Sequence, residues 1–240
     1  MNLNSFLKYA ADRHIYPFLV GDKEQTSRTI KNLFPHASLE KIARGAGAID
    51  GSIVNFSAPN PNSLMLKIKL LDEGRESKDR LFDASRTYHK VGEDPYKDII
   101  LEHNTQIVND PTLLGKGHER FKEQLGHLRD LGVKGIHIES GAGTGGPEGS
   151  VDGWNGYYTF PRYGFNGRIT KPQIARLPKE IQDQLRTGNP DFHHLFSIKG
   201  GPEAWKRYGT DTNELDFSLD PNDPHIQKFQ EYYNKRQNKQ

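Results

Sequence analysis

The sequence predicts an α/β fold in which a mixed, mainly antiparallel sheet is flanked by helices and followed by an irregular helical C-terminal extension. Three observations carry this prediction. Apolar residues recur at three- and four-residue steps through the first fifty positions. They alternate with polar ones between Gly51 and Val108. They then return to helical spacing at Phe121, followed at once by one more apolar strand up to Glu139.

The elements follow in order. Leu3, Phe6, Leu7, Ala10 and Ala11 predict a helix up to Ile15, interrupted by Pro17. Thr26 to Phe34 predicts a second, and Ser38 is placed to cap a third over Leu39 to Ala43, which Gly45 and Gly47 end. Four strands follow at Ile53–Ala58, Leu64–Leu70, Arg80–Val91 and Lys97–Val108, with turns at Pro59–Asn62 and Gly92–Pro95. Short links between consecutive strands make an antiparallel meander. Phe121, Leu125, Leu128 and Leu131 form one helical stripe, Gly132 ends it, and Val133–Glu139 predicts a strand that joins the sheet beside the last meander strand. Beyond Gly167 the pattern weakens. Helices are expected over Gln173–Leu185, Pro202–Tyr208 and Ile226–Tyr233, so residues 1–166 are read as the main domain and 167–240 as an extension or arm.

Composition narrows the function classes. Of the 240 residues, 33% are hydrophobic, and 24 Gly and 14 Pro leave much of the chain to loops. A formal net charge of +2, from 33 basic and 31 acidic residues, gives no pull toward nucleic acid. The absence of cysteine removes disulfides, thiolate catalysis and thiolate metal sites. No segment reaches the roughly 20 apolar residues that a bilayer span needs, and Met1 to Ala11 lacks the basic start and apolar run of a secretory signal. A soluble, cytoplasmic chain with no membrane partner is expected, or a virion-associated one if the chain is phage-encoded.

The chemistry-bearing stretch is Ile107 to Phe165. Leu114-Gly-Lys-Gly-His-Glu119 lies where a strand passes into a helix. Helix N-termini offer unpaired amides and the positive end of a dipole, so glycines there let backbone approach a diphosphate and Lys116 adds a cation. The helix, the Gly132 turn, the strand Val133–Glu139 and the tyrosine-rich run from Asn155 to Gly164-Phe165 then follow in order. This ordered set, over roughly Ser52 to Phe165, resembles the acyl-CoA-binding half of the GNAT N-acetyltransferase superfamily. The resemblance implies acetyl-CoA as cofactor, with Leu114, Gly115, Lys116, Gly117 and His118 at its pyrophosphate, and an N-acyl transfer to an acceptor that the residues leave unidentified. Such a transfer needs a base for the ammonium proton and an acid for the departing thiolate. Glu102, opposite in facing to His103 on the last meander strand, and Tyr158 are the candidates.

Other motifs carry blander readings. Glu139-Ser-Gly-Ala-Gly-Thr-Gly-Gly146 resembles the first motif of class I methyltransferases, but Pro147 to Gly153 cannot propagate the helix that motif requires, so a loop is expected. His193-His194 and His118-Glu119 lack further ligands at helical spacing, so no metal site is expected. Glu119 and Phe160 depart from the family pattern and favour an alternative: a non-catalytic component with the same fold in a larger assembly, such as a phage particle or toxin module, docking a protein partner through the C-terminal extension.

Overall fold

The computed structural model describes residues 14–71, 80–92, 98–108, 116–141, 156–186 and 190–238. The chain divides into two compact units, Met1–Lys134 and Gly135–Gln240, a division that falls earlier than the boundary after residue 166 expected from the sequence.

In the first unit, β1 (Tyr16–Leu19) runs parallel to β2 (Ile53–Asn60), and β2, β3 (Ser63–Leu71), β4 (Arg80–Lys90) and β5 (Ile99–Val108) form the expected antiparallel meander. The parallel pair makes the sheet mixed. β1 was not legible, because Pro17 reads as a breaker. Tyr16 and Val20 donate to the carbonyls of Ser52, just before β2, and of Phe56 within it, so the nitrogen of Pro17 falls on the side that needs no donor. The helix expected over Leu3 to Ile15 lies almost wholly outside the described residues.

Three helices cover one face of this sheet. α1 (Lys23–Leu33) begins three residues before the expected Thr26 because Asp22 caps it, accepting from the Gln25 amide at 2.9 Å. Thr26 donates to the Asp22 carbonyl and accepts from the Ala58 amide, which ties the helix start to the end of β2. α2 (Leu39–Gly45) carries the expected Ser38 cap, accepting from the Lys41 amide. α3 (Gly117–Asp130) buries the predicted Phe121, Leu125 and Leu128, and Gly132 ends it with φ +74°. Opposite these helices the strands bury every second residue: Val54 and Phe56, Leu64, Leu66 and Ile68, Phe82, Ala84 and Tyr88, Ile99 and Leu101. Tyr88 locks the layer, donating its hydroxyl to the Ile42 carbonyl at 2.9 Å and packing edge-on against Phe34.

A register shift between Ser85 and Arg86 leaves Asn104 as an extra residue in β5, since Ser85 faces Thr105 while Arg86 faces His103. Arg86 is 1% exposed. Its guanidinium donates to the Ser85 carbonyl at 2.9 Å, to the Thr105 carbonyl and to Gln106 Oε1.

The second unit is built on β6 (Gly135–Gly141) paired antiparallel with β7 (Thr212–Ser218). The Thr212–Ser218 strand is absent from the sequence reading, although Leu215 and Phe217 are buried and alternate with Asp216. The tyrosine-rich run forms a helix, α4 (Gly156–Arg162), with Pro161 inside it. The single helix expected over Gln173–Leu185 is two, α5 (Lys171–Ala175) and α6 (Lys179–Leu185), because Pro178 supplies no amide and restricts Leu177 before it. α7 (Phe192–Ser197) precedes α8 (Gly201–Tyr208), which matches expectation, and α9 (Pro224–Gln237) outruns its expected bounds from an Asp223 cap. Trp205 is the pivot of this core: its indole donates to the Tyr157 carbonyl at 2.8 Å, and the Tyr157 hydroxyl donates to the Lys206 carbonyl at 2.8 Å. The glycine-rich run from Ala142 to Asn155 lies outside the described residues.

Candidate functional site

The face of the first unit's sheet away from the helices carries Ser63, Met65 and Lys67 of β3, Ser85, Thr87 and His89 of β4, and Ile100 and Glu102 of β5. At its centre runs a continuous polar chain. His89 Nε2 lies 2.6 Å from Glu102 Oε2, and His89 Nδ1 lies 3.0 Å from Ser63 Oγ. Asn104 Nδ2 donates to the other Glu102 oxygen at 2.5 Å, and the Thr87 hydroxyl donates to Asn104 Oδ1 at 3.1 Å. The strand register assembles it: Ser63 is the cross-strand partner of His89, Thr87 is the partner of Glu102, and Asn104 is the residue of the bulge. Both Glu102 oxygens accept hydrogen bonds, an arrangement that suits an ionised carboxylate. The side chain of His89 is 32% exposed and that of Glu102 17%, so the pair stands at the border of solvent.

Directly behind this chain, across the sheet, lies His103 as expected from its alternation with Glu102. Burial, and then the Arg86 charge, hold its imidazole well below the ordinary value. The neutral ring accepts from the Gln124 amide at 3.3 Å, while the same amide donates to the Gly45 carbonyl at 3.0 Å. His103 is thus a core residue that joins β5, α2 and α3, and Glu102 is the member of the pair that reaches the border of solvent.

Of the expected diphosphate turn, Leu114 and Gly115 lie outside the described residues. Lys116 is the N-cap of α3, makes no side-chain capping bond and is exposed, as is Gly117. His118 differs: its ring is 2% exposed and joins the core face of the helix, so its contribution to an anion outside would come through backbone. Glu119 stands half-buried in the first helical turn.

Tyr158 lies on α4 in the second unit, half-buried against Phe196, with the Arg162 guanidinium 5.3 Å and the Lys206 ammonium 6.0 Å from its ring centre. Burial raises its phenol above the ordinary value. Arg162 opposes the shift, while Glu203 and Tyr232 add to it. The group keeps its proton at neutral pH, as an acid should. Phe160 packs on Phe165 at 5.4 Å. Among the described residues no group of three or more His, Asp or Glu side chains could hold a metal ion. His193 instead donates from Nε2 to the Gly164 carbonyl at 2.8 Å and packs edge-on against His225.

Of the residues in this polar chain, the sequence reading singled out Glu102 and not Ser63, His89 or Asn104. Thr87 and His89 stand two apart on one strand, which places them on one face. Which residues of β3 and β5 they meet depends on a register that one bulge decides. The chain matches no protein-family model, no curated protein and no solved structure. No helix among the described residues is long and apolar enough to cross a membrane.

Proposed function

We propose that the chain is an acyl-CoA-dependent N-acyltransferase, with acetyl-CoA as donor and an amine as acceptor. The observation that carries this reading is the position of the Glu102–His89 pair on β5 and β4 at the border of solvent, in the same unit as the start of α3. At that start Lys116 and Gly117 are exposed and no side chain of the N-cap residue occupies the first amides. Such a helix end attracts a diphosphate, and the pair can take the proton that an ammonium acceptor must lose before it attacks a thioester. The ordered likeness to GNAT enzymes supports the same reading.

A second reading, a non-catalytic component of a larger assembly, is favoured by Glu119. Its carboxylate in the first turn of α3 suits the helix dipole and repels a diphosphate. The two readings separate in a thermal melt with acetyl-CoA. At a ligand concentration about a hundredfold above its Kd, binding stabilises the folded chain by about 2.7 kcal/mol, so the acyltransferase reading predicts a clear rise in Tm. The rise should vanish in Lys116→Ala/Gly117→Asp. A Tm that acetyl-CoA leaves unmoved speaks for the assembly role.

A further inference from the structure

The polar chain on the outer sheet face places a hydroxyl, an imidazole and a carboxylate in the order that nucleophilic catalysis uses. We propose that Ser63, His89 and Glu102 form a serine nucleophile site that takes the acyl group of an activated ester or thioester.

The argument rests on hydrogen-bond inventory. An ionised carboxylate can only accept, so at 2.6 Å from Glu102 Oε2 the proton belongs to His89 Nε2. A neutral imidazole then has a lone pair on Nδ1, and at 3.0 Å the bond with Ser63 is made by the hydroxyl donating to it. Ser63 therefore points its proton at a base whose other nitrogen is fixed by a third group, and that group is fixed in turn by Asn104 from the bulge. Nucleophile, base and orienter within hydrogen-bond reach are the geometric signature of an activated serine, wherever the three stand in the chain. The two ring nitrogens exchange their usual partners here, and an imidazole relays a proton equally well in either sense.

The site lies close to solvent. Ser63 is 6% exposed. It begins β3 directly after the exposed Pro61-Asn62 turn, and the half-exposed His89 ring stands beside it. The proposal requires an acyl group to reach Ser63 past the edge of that ring, whose side chain is 32% exposed. In the step itself Ser63 Oγ forms a bond to the acyl carbon, and the carbon–oxygen or carbon–sulfur bond to the leaving group breaks. The hydroxyl proton passes to His89 Nδ1 and from there to the departing alkoxide or thiolate. Water then attacks the acyl-serine, yields its proton to the same nitrogen, and releases a carboxylic acid with the Ser63 hydroxyl restored. Glu102 remains ionised throughout and holds the imidazolium.

This inference does not depend on acetyl-CoA or on the start of α3, and its test uses neither. The full chain is treated with a fluorophosphonate probe, and the adduct is located by mass spectrometry. In parallel, p-nitrophenyl acetate is followed for a burst of p-nitrophenolate. One adduct on Ser63 and a burst of about one equivalent are expected. His89→Gln and Glu102→Gln should slow labelling by about 10²-fold or more, the scale of a lost general base. No adduct at Ser63 in the wild-type chain, adducts only at other residues, or unslowed labelling of His89→Gln would each overturn the proposal. Because the first two outcomes are read on the wild-type chain, they hold even if a variant fails to fold.

Discussion

Arg86 shows how much a single side chain can hold at the bulge. Its guanidinium is buried and donates to two carbonyls and an amide oxygen. Burial, and then the neighbouring Arg120 charge, push it down to about 9. The buried charge is compensated in part by these acceptors, two of which, Thr105 and Gln106, follow the bulge directly in β5. Truncation would strand the Ser85 and Thr105 carbonyls and open a cavity beside Tyr88 and His103. Arg86→Ala is expected to cost about 3 kcal/mol, read as a lower urea midpoint at unchanged slope. A midpoint within error of wild type would mean that the bulge stands without it. None of this was legible in the sequence. Arg86 falls at an inward position of an alternating strand, where the pattern asks for an apolar residue, and the residues that satisfy it lie 19 and 20 positions away.

At the scale of elements, the second unit carries a pH-sensitive junction where β7 turns into α9. His225 Nδ1 accepts from the Ser218 amide at 2.7 Å, which requires an unprotonated nitrogen, and its ring stacks edge-on against His193 at 4.7 Å. Both rings are pushed below their ordinary value of 6.5, first by burial. The His193 charge lowers His225 further, while Asp223, Asp216 and Asp191 oppose the shift; His193 is raised by the Gly164 carbonyl, Asp191 and Asp223 and lowered by Lys228. The folded state thus resists protons that the unfolded chain accepts. The stability linked to these rings is fully present above 6.5 and is lost as pH falls through their folded values. Tm should fall between neutral pH and pH about 5, and His225→Asn, which keeps an acceptor without a titrating ring, should show a shallower fall. Equal slopes would place the acid sensitivity elsewhere. The elements here were only partly readable. α8 and the stop at Gly132 came from glycine and proline punctuation, which acts locally. β7 and α4 did not, because Thr212–Ser218 is polar at five of its seven positions and is a strand only by pairing with β6, and Pro161 inside Gly156–Arg162 argues against the helix that forms.

At the scale of the whole molecule, the first unit was the legible part. Its meander alternates because one face packs against α1, α2 and α3, and the same alternation set Glu102 apart from His103. Ser63 and His89 remained invisible as partners because register is a property of the folded sheet rather than of any one strand. The proposed chemistry rests on the outer sheet face and on the start of α3. The most direct measurement of the central proposal is an amide-resolved NMR titration of the isotopically labelled chain with acetyl-CoA. The proposal predicts that the Gly117 and His118 amides shift in a saturable way and that the shifts disappear in Lys116→Ala/Gly117→Asp. Saturating acetyl-CoA that leaves those two amides in place would contradict it.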